Sequence, residues 1–363
     1  LNARDLGWEA QVDSELPIFM GEFFNRVLHS DGTVLTSPCV VSIGVLRQVL
    51  YLFYKYELPY SAADEQKVVQ SFIATETDLC QVDEELNKLD SYIRDNAEEL
   101  WWLRYREVKE PRELTMAHAV LRARSSLRKL FAGFDPLDII PRHGPGSVST
   151  REGLWGKWQW MNVSDAITDY YPLDVYFHAS LSSVCDGYRS FSKLGTKQFP
   201  ARVCLVPKDS RGPRLISCEP VDNQWIQQGL RQAIYDRVEN HPLTKWNVFF
   251  TDQGPNQRGA LLGSEGGKYA TLDLKEASDR VSLSLVRLLF PSGLVPYLEC
   301  CRSGSTELPD KQLLPLRKFA PMGSALCFPI MALTIWAILN AYAPDQDTRE
   351  SILVYGDDVV VPT

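Results

Sequence analysis

Ser351-Ile352-Leu353-Val354-Tyr355-Gly356-Asp357-Asp358-Val359-Val360-Val361 decides how this chain is read. Two adjacent carboxylates inside an apolar run are costly to bury unless a cation neutralises them, and a divalent metal ion does so best. Val, Ile and Tyr on both sides favour strands, whereas Gly-Asp is turn chemistry. The segment therefore predicts a tight β-hairpin that presents two acids at its tip.

A second acidic site lies upstream. Tyr269-Ala270-Thr271-Leu272-Asp273 has strand character, and Val281, Leu285, Leu288 and Leu289 then recur at helical spacing, so Asp273 sits where strand yields to helix. A strand-end Asp beside a hairpin-tip pair predicts that Asp273, Asp357 and Asp358 hold two Mg²⁺ ions, with Mn²⁺ as an alternative, for in-line attack at phosphorus. Asp279 with Ser278 has a plainer reading as a helix N-terminus.

Between these acids run Arg317-Lys318-Phe319-Ala320-Pro321-Met322-Gly323-Ser324-Ala325 and an apolar stretch, Leu326 to Tyr342. Gly323-Ser324 at the mouth of a helix suits a loop bent around a nucleotide sugar, with Ser324 able to bond a ribose hydroxyl. Phe319 to Pro344 carries no charged residue, yet Gly323, Ser324, Pro329 and Asn340 interrupt it, so a buried core helix is expected rather than a membrane span. Further upstream, Arg202-Val203-Cys204-Leu205-Val206-Pro207-Lys208-Asp209-Ser210-Arg211-Gly212-Pro213-Arg214 predicts two strands joined by a basic loop. Such a loop suits a triphosphate grip, although a solvated turn has the same composition.

With 363 residues, 45% hydrophobic and 23% charged, the chain is long enough to bury a substantial core in more than one subdomain. A net charge of -8 excludes a protein wrapped in nucleic acid over its whole surface, so any RNA must enter a local basic channel. Eight cysteines form no CxxC pair, and His29, His118, His143, His178 and His241 are scattered, which suggests neither zinc site nor disulfide framework. Gly263-Ser264-Glu265-Gly266-Gly267-Lys268-Tyr269 resembles a phosphate loop, but it is one residue short and has Tyr269 in place of Ser or Thr. His143-Gly144-Pro145-Gly146 and Trp155-Gly156-Lys157-Trp158 mark a loop-rich region. Packed Trp side chains in a structural turn are the expectation there, against base stacking beside Arg142, Arg151 and Lys157.

The order of basic loop, Asp273–Asp279, Met322–Leu326 and Tyr355–Asp358 resembles motifs F, A, B and C of right-handed RNA-dependent RNA polymerases, and most closely the replicase catalytic subunit of the single-stranded RNA bacteriophages, the levivirus group. Asp138 to Gly146, Val206-Pro207-Lys208 with Arg214 and Glu219-Pro220, and Asp252-Gln253 with Asn256-Gln257-Arg258 support it, over about residues 134 to 363. One departure is Ser324, where well-known phage replicases carry Asn.

The resemblance implies an α+β right-hand fold with helical fingers, an antiparallel-sheet palm and no thumb in this chain. It divides the chain into a mainly helical region over 1–133, fingers over 134–240 and a palm over 241–363 with a small finger insertion near 291–318. It implies that Lys208, Arg211 and Arg214 neutralise an incoming triphosphate, and that Ser278, Asp279, Gly323 and Ser324 contact the nucleotide. The implied activity is copying of a phage RNA genome from ribonucleoside triphosphates in the cytoplasm of an infected bacterium. Template and product RNA, and host elongation factors Tu and Ts with a ribosomal protein, are the implied partners, and no membrane is involved. Ala277 and Ser278, small or polar, set this apart from a reverse transcriptase, which needs a bulky sugar gate; an inactive RNA-binding fragment is the remaining alternative. The end at Thr363, close after the hairpin, implies a missing C-terminal part, so this chain is expected to bind Mg²⁺ weakly and not to polymerise RNA alone.

Overall fold

The computed structural model describes residues 9–52, 59–101, 115–153, 155–178, 182–185, 194–209 and 212–363. One compact unit gathers Leu1–Val68 with Leu205–Arg214, and the other Val69–Cys204 with Leu215–Thr363.

In the first unit, Leu16, Phe24 and Leu46 bury together, the last of them from helix α1 (Val40–Leu50). Tyr60 fixes the basic hairpin: its hydroxyl donates to the Asp209 carbonyl at 3.0 Å and accepts from the Lys208 amide at 3.0 Å. The expected pair of strands is present as β1 (Ala201–Asp209) and β2 (Gly212–Cys218).

The second unit holds the main core. Long helix α2 (Ala62–Asp95) contributes Leu79 and Ile93 to the buried residues. Helix α3 (Met116–Leu130) starts at a reciprocal cap, in which the Thr115 hydroxyl accepts from the His118 amide and the His118 ring accepts from the Thr115 amide. Helix α4 (Val221–Asn240) buries Ile226, Leu230, Ile234 and Val238, a 4-residue stripe that faces the core. After α4 come α5 (Gly254–Gly266), α6 (Ala277–Arg280) and α7 (Leu283–Leu289), and the apolar stretch anticipated as a core helix is α8 (Cys327–Tyr342). Ile330, Leu333, Trp336 and Ala337 of α8 are almost wholly enclosed, and among the described residues no helix is long and apolar enough to cross a membrane.

Two sheets complete an α+β architecture. One has strand order β2-β1-β4-β5, with β4 (Ser305–Glu307) parallel to β1 and β5 (Leu313–Pro315) antiparallel to β4. The other is wholly antiparallel, in the order β3-β7-β6, from β3 (Tyr269–Asp273), β6 (Leu353–Tyr355) and β7 (Asp358–Pro362). Period-2 alternation puts Val354 and Val359 in the core, while Leu353 and Val360, paired in register, lie against Gly259 of α5 on the other face. The phosphate-loop look-alike is the C-terminal end of α5, the turn after it and the first residue of β3, which removes it as a nucleotide site.

In the loop region Lys157 is internal, but Trp155 and Trp158, expected as packed side chains, are largely exposed, Trp158 lying edge-on against the His143 ring. Lys157 is buried, and its Nζ donates to the carbonyls of Gly144 at 3.0 Å and Gly146 at 2.6 Å and to Oε1 of Gln224 at 3.1 Å. The His143 ring packs against Trp158, Trp160 and Trp225 at centroid distances of 4.7, 5.6 and 4.5 Å. Burial first, and then the Lys157 charge, push its pKa down to about 4.

Candidate active site

Tyr355 pairs with Asp358, so Gly356 and Asp357 alone form the turn of the β6–β7 hairpin. Gly356 has φ 64°, and a Cβ there would fall 2.2 Å from the Phe328 ring, so the turn takes glycine for both conformation and space. β7 also pairs with β3, in a register that sets Asp358 directly opposite Asp273. Residues opposite each other share one face, where like charges destabilise the sheet unless a cation lies between them. Both acids are exposed. Gln253 donates to Oδ2 of Asp358 at 2.7 Å, and Asn256 donates to its backbone carbonyl at 2.8 Å, so the loop into α5 fixes this acid. Hard carboxylate oxygens so placed suit Mg²⁺ or Mn²⁺ in donor type. Among the described residues, no three His, Cys, Asp or Glu side chains are grouped closely enough to hold one ion.

Asp357, also exposed, lies where its charge reaches Cys327 at the start of α8. Burial, then Asp279, push that thiol up to about 12, with Asp357 adding to them; Lys318 and a hydrogen bond with Ser278 pull the other way. The hairpin turn thus adjoins the segment after β3. Within it, just before α6, Glu276 is a non-glycine residue at φ 54°, a strained left-handed conformation. Helix α2 supports it: Ser71 donates to Glu276 at 3.0 Å, and Asp78 lies 3.5 Å from Arg280. The run expected as one helix is two, because Ser282 caps α7 by accepting from the Leu285 amide and leaves Val281 outside it.

Gly323 has φ 121°, and a Cβ would meet the Ser217 carbonyl oxygen at 2.2 Å, while the Ser217 amide donates to Met322 at 2.8 Å. Only glycine lets β2 come this close. Ser324 is buried, and its hydroxyl accepts from the Leu326 amide at 3.3 Å within its own turn. Lys208 and Arg214 are exposed in the first unit, and Arg211 lies outside the described residues.

Sequence comparison gives this geometry its context. The family described as RNA replicase, beta-chain matches residues 103–363. The chain belongs to that family. Among its relatives, the RNA-directed RNA polymerase subunit beta of Qbeta virus (strain MX1) is 29% identical over 66% of this chain and 40% of its own length. That of Escherichia virus Qbeta is 36% identical over 45% of this chain and 27% of its own, and the beta chain of Escherichia phage MS2 is 32% identical over 44% and 28%. The replicase beta-chain sequence in hand therefore spans two fifths or less of the curated relatives it matches. A solved structure, the Sicinivirus 3Dpol RNA dependent RNA polymerase, is a distant likeness: 14% identical over 70% of this chain and 59% of that one, at a TM-score of 0.34.

Three residues of the site escape sequence reasoning. Gln253 was legible only as part of a family string, not as the donor to Asp358. Lys318 stands in the run before Gly323 and Glu76 within α2 with nothing local to link them, because the 3.2 Å ion pair that joins them spans most of the chain.

Proposed function

We propose that this replicase beta-chain supplies the catalytic centre of an RNA-dependent RNA polymerase, which joins ribonucleotides to an RNA 3′-hydroxyl on an RNA template. The register that opposes Asp273 and Asp358, with Asp357 in the adjoining turn, carries the reading. In it, the β3-β7-β6 sheet serves as the palm and the helices and basic hairpin of 134–240 as fingers. Asp273, Asp357 and Asp358 are the residues that hold Mg²⁺, or Mn²⁺ in its place. Bound there, the metal would lower the pKa of the 3′-hydroxyl and neutralise the departing pyrophosphate.

The chain's own groups do the rest. Gln253 keeps Asp358 oriented, Ser278, Asp279, Gly323 and Ser324 meet the nucleotide sugar, and Lys208, Arg211 and Arg214 neutralise the triphosphate. Ala277 and Ser278 are half-buried and small, which leaves room for a 2′-hydroxyl and favours ribonucleotides over the deoxyribonucleotides of a reverse transcriptase. Copying of a phage genome in the host cytoplasm, with elongation factors Tu and Ts and a ribosomal protein as subunits, follows from the family resemblance alone. Primer extension by the complete natural reading frame that carries this chain, with separate ribo- and deoxyribonucleotide pools, tests the reading. RNA product from the ribonucleotide pool only is expected. Extension from deoxyribonucleotides would point to a reverse transcriptase, and product from neither pool to an RNA-binding role.

A further inference from the structure

Lys318 is the most deeply enclosed charge beside the proposed sugar contacts, its side chain having no exposed surface. Lysine is almost never fully buried unless its charge is met. Here its Nζ donates to Oδ1 of Asp279 at 2.9 Å, lies 3.2 Å from Oε1 of Glu76, and sits 3.5 Å from the centroid of the Phe72 ring. The contact with Glu76 is an ion pair without hydrogen-bond alignment, so Asp279 is the directional partner. The other Glu76 oxygen accepts the Arg317 amide at 2.5 Å, which ties α2 to the backbone next to the lysine. Asp279 itself remains 23% exposed, and among the described residues its second oxygen accepts no hydrogen bond.

A carboxylate with one oxygen locked on a buried ammonium and the other at a partly open surface is oriented for a ligand. We propose that Lys318 is a positioning residue for ribose recognition: it holds Oδ1 of Asp279 so that Oδ2 accepts the 2′-hydroxyl of the incoming nucleotide. Glu76 and Phe72 of α2 hold the lysine in turn. The proposal rests on the reading of Asp279 as a sugar contact, and it adds to that site a helix from the N-terminal part of the chain. A mobile carboxylate still attracts a nucleotide but discriminates less, because selectivity for a hydroxyl depends on a preformed partner that is left unpaired by the analogue lacking it.

The test measures kcat/KM for a ribonucleotide and its deoxy counterpart in the complete reading frame. Asp279→Ala should lower the ribo-to-deoxy ratio; an unchanged ratio would overturn the sugar-contact reading, and the proposal with it. If that variant lowers the ratio, Lys318→Met should lower it as well, by at least about tenfold, through a raised KM for the ribonucleotide with the deoxynucleotide little affected. A wild-type ratio in Lys318→Met would overturn the positioning role while leaving Asp279 in place, and so would an equal loss on both nucleotides. Because Lys318→Met leaves two carboxylates without their counter-charge, Lys318→Met with Glu76→Gln provides a better balanced second variant, judged by the same ratio. Should neither fold, Glu76→Gln alone decides: it keeps the lysine but loosens it, and an unchanged ratio overturns the proposal.

Discussion

Lys157→Met should cost the protein about 3 kcal/mol of stability although the residue lies far from the acidic hairpin in sequence. The ammonium has three donors, and all three are spent on Gly144, Gly146 and Gln224. Bonds from a charged donor contribute about 1.5–3 kcal/mol each, some 5–9 kcal/mol for the set. Burying the ammonium costs several kcal/mol, which methionine avoids while filling a similar volume. What remains after this offset is the Gly144 and Gly146 carbonyls left without their donor, at roughly 1–3 kcal/mol apiece, while Gln224 Oε1 keeps the Gly144 amide at 3.2 Å. Urea unfolding of wild type and variant should show a lower midpoint at unchanged slope. The same substitution removes the charge that helps depress His143, so the His143 pKa should rise, though not to its ordinary value, since burial is the larger cause. A loss below about 1 kcal/mol would show that the three bonds are not worth what the geometry implies.

Gly323→Ala should destabilise by at least about 2 kcal/mol, seen as a lower thermal midpoint, since both the φ of 121° and the Ser217 carbonyl resist a Cβ; wild-type stability would mean the loop does not approach β2 so closely. Trp336→Ala, in the centre of α8 and 1% exposed, should cost about 3–5 kcal/mol in urea unfolding, and a cost below 1 would place that helix outside the core. His143 is neutral in the folded state down to about pH 4 but takes up its proton near 6.5 when unfolded, so the unfolded state binds more protons between those values. Stability should therefore fall as pH drops from 6.5 to 4, by about 2 kcal/mol for this half-buried ring, and His143→Phe should remove that part of the slope; an unchanged slope would assign it to other groups.

The elements that sequence discloses best are those whose signal is local. The hairpin at Gly356-Asp357 was readable from β-branched runs on both sides of one turn dipeptide, and the end of β3 at Asp273 from the change of period after it. The interior position of α8 follows from a run without charge, broken by residues a membrane span would not favour. Pairings across long separations are another matter. Nothing local in Arg317-Lys318 shows that the second is wholly enclosed, because its partners Glu76 and Phe72 come from a helix hundreds of residues earlier and are set by tertiary packing. For Lys157 the sequence offers only its place among tryptophans, and its role as an internal donor to Gly144, Gly146 and Gln224 is set by tertiary packing. The strain at Glu276 has no sequence signature either, since a left-handed glutamate is imposed by what holds it: Ser71 on one side and Arg280 on the other.

The most direct measurement is template-directed ribonucleotide incorporation by the complete reading frame in Mg²⁺, comparing wild type with Asp273→Asn, Asp357→Asn and Asp358→Asn, each first shown by its unfolding midpoint to be folded. RNA synthesis is expected in the wild type and its loss in all three variants, because each removes one carboxylate from the proposed metal-holding set while keeping side-chain size. Wild-type synthesis in Asp273→Asn or Asp358→Asn would contradict it, since the register that opposes those two residues would then have no part in the chemistry.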